Sequence, residues 1–234
     1  MEHRGLLAAA NGEHRSFRGV LIPGCLIPIC GQIVAMCNSY RIKPRRGAAK
    51  DLHEQVSAAA ANLGSSLVRK SDPGVVVTTG REVVIMRWGF HRSFNAAVNN
   101  ARSDKLAGGM WAEAFRARRC VIPMTLFYEW GPGSGGRKQA YEFGAPADYF
   151  LWVAGIWEEH PEFGRCYSMV TTAASALMAP IHDRMPAVLL PAEAPEYLSG
   201  ASWTFQPFAG ALTVIPCASP LGKPPAPDPQ QELF

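Results

Sequence analysis

Four short stretches of the chain carry side chains able to do chemistry: Met36-Cys37-Asn38, Asn99-Asn100-Ala101-Arg102, Phe127-Tyr128-Glu129-Trp130 and Ile181-His182-Asp183-Arg184-Met185-Pro186. Glu129 closes an aromatic run, and period-2 alternation along a strand would turn its carboxyl inward. A desolvated carboxyl has a raised pKa and can act as a general acid. The same residue could instead sit at a strand exit beside an arginine. His182 follows an apolar stretch and precedes Asp183 and Arg184, which suits a proton shuttle near neutral pH and equally a satisfied structural histidine. Asn100 could hydrogen-bond within a site or shape a turn. Cys37 could be a nucleophile or a small core residue.

The elements that must position these residues read as short strands with few helices. Cys37–Lys43 opens as a strand, and Ala48–Leu63 is an Ala-rich helix ending at Gly64. Gly74–Thr79 and Glu82–Trp88 flank a Thr79-Gly80-Arg81 hairpin signal. Met110–Arg119 reads as a helix, Cys120–Trp130 and Tyr149–Trp157 as strands, and Gly131–Gly136 as a glycine-rich turn between them. Arg165–Thr172 is a further strand, followed by a helix-like turn to Pro180. Ala187–Leu190 is a short strand, Ala192–Ser199 a short helix, and Val214 and Ile215 end the core. The expected fold class is α+β, one domain around a curved, barrel-like, mostly antiparallel sheet with flanking short helices.

Composition narrows the function classes. The 234 residues are 48% hydrophobic and 10% aromatic, too apolar for a disordered chain. No apolar run of eighteen residues is free of breakers, so no membrane span is expected. The formal charge of +4 permits an acidic partner without demanding one. Six cysteines without a CxxC pair argue against a disulfide scaffold and against a structural metal. A reduced, cytoplasmic protein without metal or cofactor is the expectation.

Taken together and in this order, the four stretches resemble the SRAP family (SOS response-associated peptidase), whose members crosslink to abasic sites in DNA. Met36-Cys37 resembles the family's opening Met-Cys, Asn100-Ala101-Arg102 its Asn-Ala-Arg, Phe127–Trp130 its aromatic-x-Glu-Trp, and His182–Pro186 its His-Asp-Arg-x-Pro. Arg87-Trp88-Gly89 and Val170-Thr171-Thr172-Ala173 agree as well. The resemblance runs from Met36 to about Pro216. Asn38 departs from the glycine common after the Cys, and Arg69–Gly74 only partly echoes an Arg-x-Asn-x-Ala-Pro loop.

The resemblance implies a covalent chemistry. With Met36 removed, Cys37 would carry a free α-amine of pKa about 7.7–8.0, partly neutral near pH 7. The amine would take the aldehyde of an open abasic deoxyribose as a Schiff base, and the thiol would close a thiazolidine. Cys37, Asn100, Glu129 and His182 are then the catalytic residues, with Glu129 and His182 as an acid/base pair for sugar-ring opening. Arg102 and Arg184 become phosphate contacts, and Trp88, Trp130 and Thr171 the rest of the DNA-binding set. Single-stranded DNA with abasic sites is the implied substrate, in a DNA-damage or SOS setting near the nucleoid, and we expect a monomer.

Three further expectations concern organisation. Residues 1–35 read as upstream translated sequence or a removable propeptide; a secretory signal is the weaker reading, because Pro23, Pro28, Cys25 and Cys30 spoil an apolar core. Residues 36–219 form the domain. Residues 220–234 form a proline-rich tail ending in Gln230-Gln231-Glu232-Leu233-Phe234. This ending resembles the Gln-x-x-Leu-Phe peptide that docks on the bacterial sliding clamp, with Gln230, Leu233 and Phe234 as contacts. The alternatives to the crosslinking activity are a cysteine peptidase, including one that removes residues 1–36 itself, and a non-covalent single-strand binder.

Overall fold

The computed structural model describes residues 37–45, 50–145 and 149–222. In chain order the elements are β1 (Ser39–Arg41), α1 (Lys50–Ala61), β2 (Leu67–Arg69), β3 (Pro73–Thr78), β4 (Val83–Trp88), β5 (Phe90–Arg92), β6 (Asn95–Val98), β7 (Asn100–Arg102) and α2 (Ala112–Ala117). They continue with β8 (Arg119–Met124), β9 (Leu126–Pro132), β10 (Lys138–Gly144), β11 (Leu151–His160), β12 (Gly164–Ala173), β13 (Arg184–Pro186), β14 (Val188–Leu189), α3 (Ala194–Leu198) and β15 (Thr213–Cys217).

Five strands close on themselves. Strand β12 pairs with β4, β4 with β3, β3 with β8, β8 with β11, and β11 returns to β12. Only the β12–β4 pair in this ring is parallel. Closure leaves no free edge among these five strands. Val75, Val76 and Val77 of β3 are all buried, as is every residue of β8. Strands covered on both faces read as continuous apolar runs, which is why the valines follow one another. A second sheet, in the order β15-β10-β9-β1-β2, carries the other half of the site. Helix α1 packs on β3 and β4 through Val56 and Ala60, one turn apart. The α+β fold around a barrel-like, mostly antiparallel sheet with short helices is therefore what the chain forms.

Several element boundaries differ from the sequence expectation. Cys120–Trp130 is not one strand. It breaks at Thr125, whose N–H and hydroxyl both donate to the Arg41 carbonyl, at 2.8 and 3.0 Å. There the chain leaves the barrel as β8 and enters the second sheet as β9. Gly131 lies inside β9 rather than in the following turn. The expected Met110–Arg119 helix is only α2, because Arg119 already starts β8. Ala192–Ser199 shortens to α3, and Ala174–Pro180 forms turns. Strand β10 and the β5–β6 hairpin were not anticipated. The proposed extension 1–35 and the clamp-like residues Gln230, Leu233 and Phe234 lie outside the described residues.

Gly89 shows why a glycine stands between β4 and β5. Its φ is 112°, and a Cβ there would fall 2.7 Å from the Ala97 Cβ. Any larger residue would be strained and would push β6 away, and β6 leads directly into Asn99 and Asn100.

Candidate active site

Cys37 lies two residues ahead of β1. The β1–β9 register places Tyr40 opposite Phe127 and so brings the start of β1 beside Glu129. The Cys37 N–H donates to Glu129 Oε1 at 2.5 Å. The Cys37 carbonyl accepts from both Asn99 Nδ2 and Asn100 Nδ2, each at 3.1 Å. The Cys37 thiol donates to the Ser39 carbonyl at 3.5 Å. Cys37 is fully buried, and both of its main-chain polar groups are held by side chains from sequence-distant strands.

Burial controls the protonation of this cluster. Glu129 is 1% exposed, and desolvation pushes its carboxyl up to about 8, against the weaker pull of the Cys37 N–H. It is therefore largely protonated near neutral pH. Burial first, and the adjacent Glu129 second, hold the Cys37 thiol well above its ordinary value, so it rests as a thiol. Glu129 Oε2 is buried and makes no hydrogen bond among the described residues.

His182 reaches the same region from the loop before β13. Gly131, two residues along β9 from Glu129 and on the same face, sits so close to Ile181 that a Cβ would lie 2.8 Å from Ile181 Cγ2 and 3.1 Å from its Cα. The absence of a side chain at Gly131 lets the Ile181-His182 backbone lie against the strand that carries Glu129. His182 Nδ1 accepts the Arg184 main-chain N–H at 3.0 Å. Asp183 Oδ1 also approaches Nδ1, at 3.1 Å, but the Asp183 side chain is 87% exposed, whereas the Arg184 N–H is fixed by the chain. We assign the ring proton to Nε2 on that ground. Nε2 is buried without a hydrogen-bond partner among the described residues, and burial lowers the pKa of the ring. Near neutral pH both Glu129 Oε2 and His182 Nε2 thus present protons.

The remaining predicted residues divide into support and rim. Trp88 is fully buried; its Nε1–H donates to the Asn99 carbonyl at 3.0 Å and fixes the backbone that carries the two asparagines. Thr171 is buried too, and its carbonyl and hydroxyl accept from Arg184 Nη2 at 2.6 and 3.3 Å. Neither therefore offers an open face to a strand of DNA. Trp130 is half-buried in β9. Arg102 is exposed and forms a two-point ion pair with Asp104. Asn99 stands in one of the four stretches but was given no role of its own, because the family motif begins one residue later; its only signal was the Asn-Asn doublet. Among the described residues no group of His, Cys, Asp and Glu is arranged to hold a metal, and no helix is long and apolar enough to cross a membrane.

The site thus joins a buried Cys, held through its nitrogen by a protonated acid and through its carbonyl by two amides, to arginines at the rim. The model of the SOS response associated peptidase (SRAP) family matches residues 29–218, and the chain belongs to that family. It is 28% identical over 121 residues to the abasic site processing protein YoqW of Bacillus subtilis, covering 50% of this chain and 54% of that protein. It is 31% identical over 141 residues to the abasic site processing protein HMCES of Xenopus tropicalis, covering 47% and 42%. The chain thus spans about half the length of these curated relatives. Crystal structures of proteins from Bacteroides thetaiotaomicron (TM-score 0.64, 19% identity, 78% of this chain and 92% of that one) and Bordetella bronchiseptica (0.63, 20%, 78% and 100%) share the fold.

Proposed function

We propose that this protein processes abasic sites in single-stranded DNA by forming a thiazolidine at Cys37, shielding the lesion during the DNA-damage response. The observation that carries the reading is the 2.5 Å approach of the Cys37 nitrogen to Glu129 inside a buried site. The α-amine of Cys37 attacks the C1′ aldehyde. Glu129 gives its proton to the departing hydroxyl, which leaves as water, and its Oε1 takes one from the nitrogen, so the acid is restored. The thiol sulfur then adds to the imine carbon, its proton passes to the nitrogen, and the five-membered ring closes. As the sugar ring opens, the Glu129 carboxyl gives a proton to the ring oxygen and takes the one lost from the C1′ hydroxyl, while the His182 Nε2–H donates a hydrogen bond to the oxygen that gains charge. Asn100 and Asn99 fix the Cys37 carbonyl, so nitrogen and sulfur remain poised at one carbon. Arg102 and Arg184 receive backbone phosphates, and Trp130 packs beside the extruded sugar.

The reaction needs Cys37 as the first residue. We favour translation from Met36 followed by removal of that methionine, with residues 36–219 as the working domain. A thiol kept protonated by burial is a poor nucleophile for self-cleavage, and this weighs equally against a thiolate peptidase acting on other proteins. Residues 230–234, on their proline-rich tether, would dock the protein on the sliding clamp.

The test mixes protein translated from Met36 with single-stranded DNA bearing one abasic site, followed by a denaturing gel. A heat-stable shifted band is expected, lost in Cys37→Ala and lost when the α-amine is capped with the thiol left free. A band that survives the cap would refute the thiazolidine, and no band from protein shown by mass to begin at Cys37 would refute the covalent reading altogether.

A further inference from the structure

At the rim, Arg102 and Arg184 share the Asp104 carboxylate, and the exposed Asp183 acts on both from further off. Arg102 Nε and Nη2 contact Asp104 Oδ1 and Oδ2 at 3.1 and 2.9 Å, the forked geometry with which a guanidinium also grips a phosphate. Arg184 Nη2 lies 3.8 Å from the same Oδ1. Strand β12 aligns the two arginines: Arg102 pairs with Thr171 across β7–β12, and Arg184 Nη2 is anchored on Thr171 from the β13 side. Arg184 Nε is buried and makes no hydrogen bond among the described residues.

We propose that the Asp104 carboxylate occupies the seat of a DNA backbone phosphate between Arg102 and Arg184, so that a strand docks only by displacing it. The proposal rests on the DNA reading above and adds a residue that sets selectivity. Asp104 is half exposed and the ion pair is solvated, so it is weak enough to exchange. Its presence removes one positive charge from the seat. Undamaged strands, which gain nothing from the Cys37 pocket, therefore bind weakly, while an abasic strand offsets the displacement through the covalent step. Arg184 also links the seat to the chemistry, because its main-chain N–H is the group that fixes His182 Nδ1.

The test compares wild type, Asp104→Asn and Arg102→Ala in two measurements. The first is the affinity of a labelled, undamaged single strand across a salt series. Asp104→Asn should tighten binding several-fold at low salt, because the phosphate no longer has to displace a carboxylate from its seat. Unchanged or weakened binding, as in Arg102→Ala, would overturn the proposal and make Asp104 a brace for Arg102. The second is thermal stabilisation by inorganic phosphate, expected in Asp104→Asn and absent in wild type and Arg102→Ala. No phosphate effect in Asp104→Asn overturns the seat whatever DNA does. A phosphate effect without any DNA binding supports the seat and removes the DNA reading instead.

Discussion

The floor and the rim of the site are built by opposite rules. At the floor, Cys37 is fully buried, each of its main-chain polar groups has a side-chain partner, and desolvation decides which groups hold protons. At the rim, Arg102 and Asp104 are half exposed and joined by an ion pair that water and salt can loosen. A dry floor keeps acids protonated and geometry fixed, as the proposed capture of an aldehyde would require. A wet rim exchanges partners quickly, as the proposed docking of a nucleic-acid strand would require. Mutations should therefore separate cleanly, with rate lost at the floor and affinity lost at the rim.

The largest effect is expected from Glu129→Gln. The amide fills the same space but cannot cycle a proton, so the crosslinking rate should fall by roughly 10²–10⁴-fold. Single-strand affinity should stay near wild type. A gel time course under saturating DNA measures the first and anisotropy the second; a loss confined to affinity would erase the distinction between floor and rim. Arg102→Ala is the converse. Affinity should drop and the salt slope become shallower by about 0.7, with the rate at saturation little changed.

Stability carries the same signature through pH. Glu129 titrates near 8 in the folded protein against 4.5 for an ordinary glutamate, so the folded state holds more protons across that window. Folding stability contributed by the protonated acid is full below about pH 4.5 and declines as pH rises through about 8, by up to a few kcal/mol. His182 has the opposite sign: its pKa is depressed by burial, so stability falls as pH drops below the ordinary histidine value of 6.5. Denaturant melts across pH should show Glu129→Gln flatter than wild type between about pH 4.5 and pH 8, and less penalised near pH 9. A wild-type curve already flat from pH 6 to pH 9 would place Glu129 in water rather than in a dry floor.

How much of this was legible in the sequence depends on whether a feature is local. The β3–β4 hairpin was visible because Thr79-Gly80-Arg81 punctuates two β-branched runs, and Gly80 does take a positive φ of 82°. The break at Thr125 was not, because nothing in Cys120–Trp130 changes there; its cause is the Arg41 carbonyl, 84 residues away. Strand β10 was hidden by the polar Lys138, Gln139 and Glu142, which fall on both of its faces and so spoil the apolar alternation. The four reactive stretches stood out by their side chains before the family resemblance joined them, and the direction of the Glu129 shift was legible from strand alternation, but its size was not. A pKa near 8 for Glu129 depends on how completely the fold excludes water. Trp88 and Thr171, carried over as DNA contacts, prove to be buried supports for Asn99 and Arg184.

Gly131→Ala tests how tightly the floor couples its two halves. The new methyl would meet the Ile181 side chain at 2.8 Å and its main chain at 3.1 Å, so the loop carrying His182 must shift. Overpacking of this kind costs about 1–3 kcal/mol. A shift of a few tenths of an ångström should also slow crosslinking without touching Arg102 or the affinity for undamaged DNA.

Asn99→Ala should do least. The Cys37 carbonyl keeps Asn100 as a donor, so no buried acceptor is stranded and the loss is one hydrogen bond, about 1 kcal/mol. The informative comparison is the double variant with Asn100→Ala. If the two amides hold one carbonyl as a unit, the double variant should lose far more rate than the two single losses combined, because the carbonyl is then unsatisfied and Cys37 can turn. Strict additivity in a double-mutant cycle of crosslinking rates would mean that Asn100 acts on the sugar and that Asn99 alone positions Cys37.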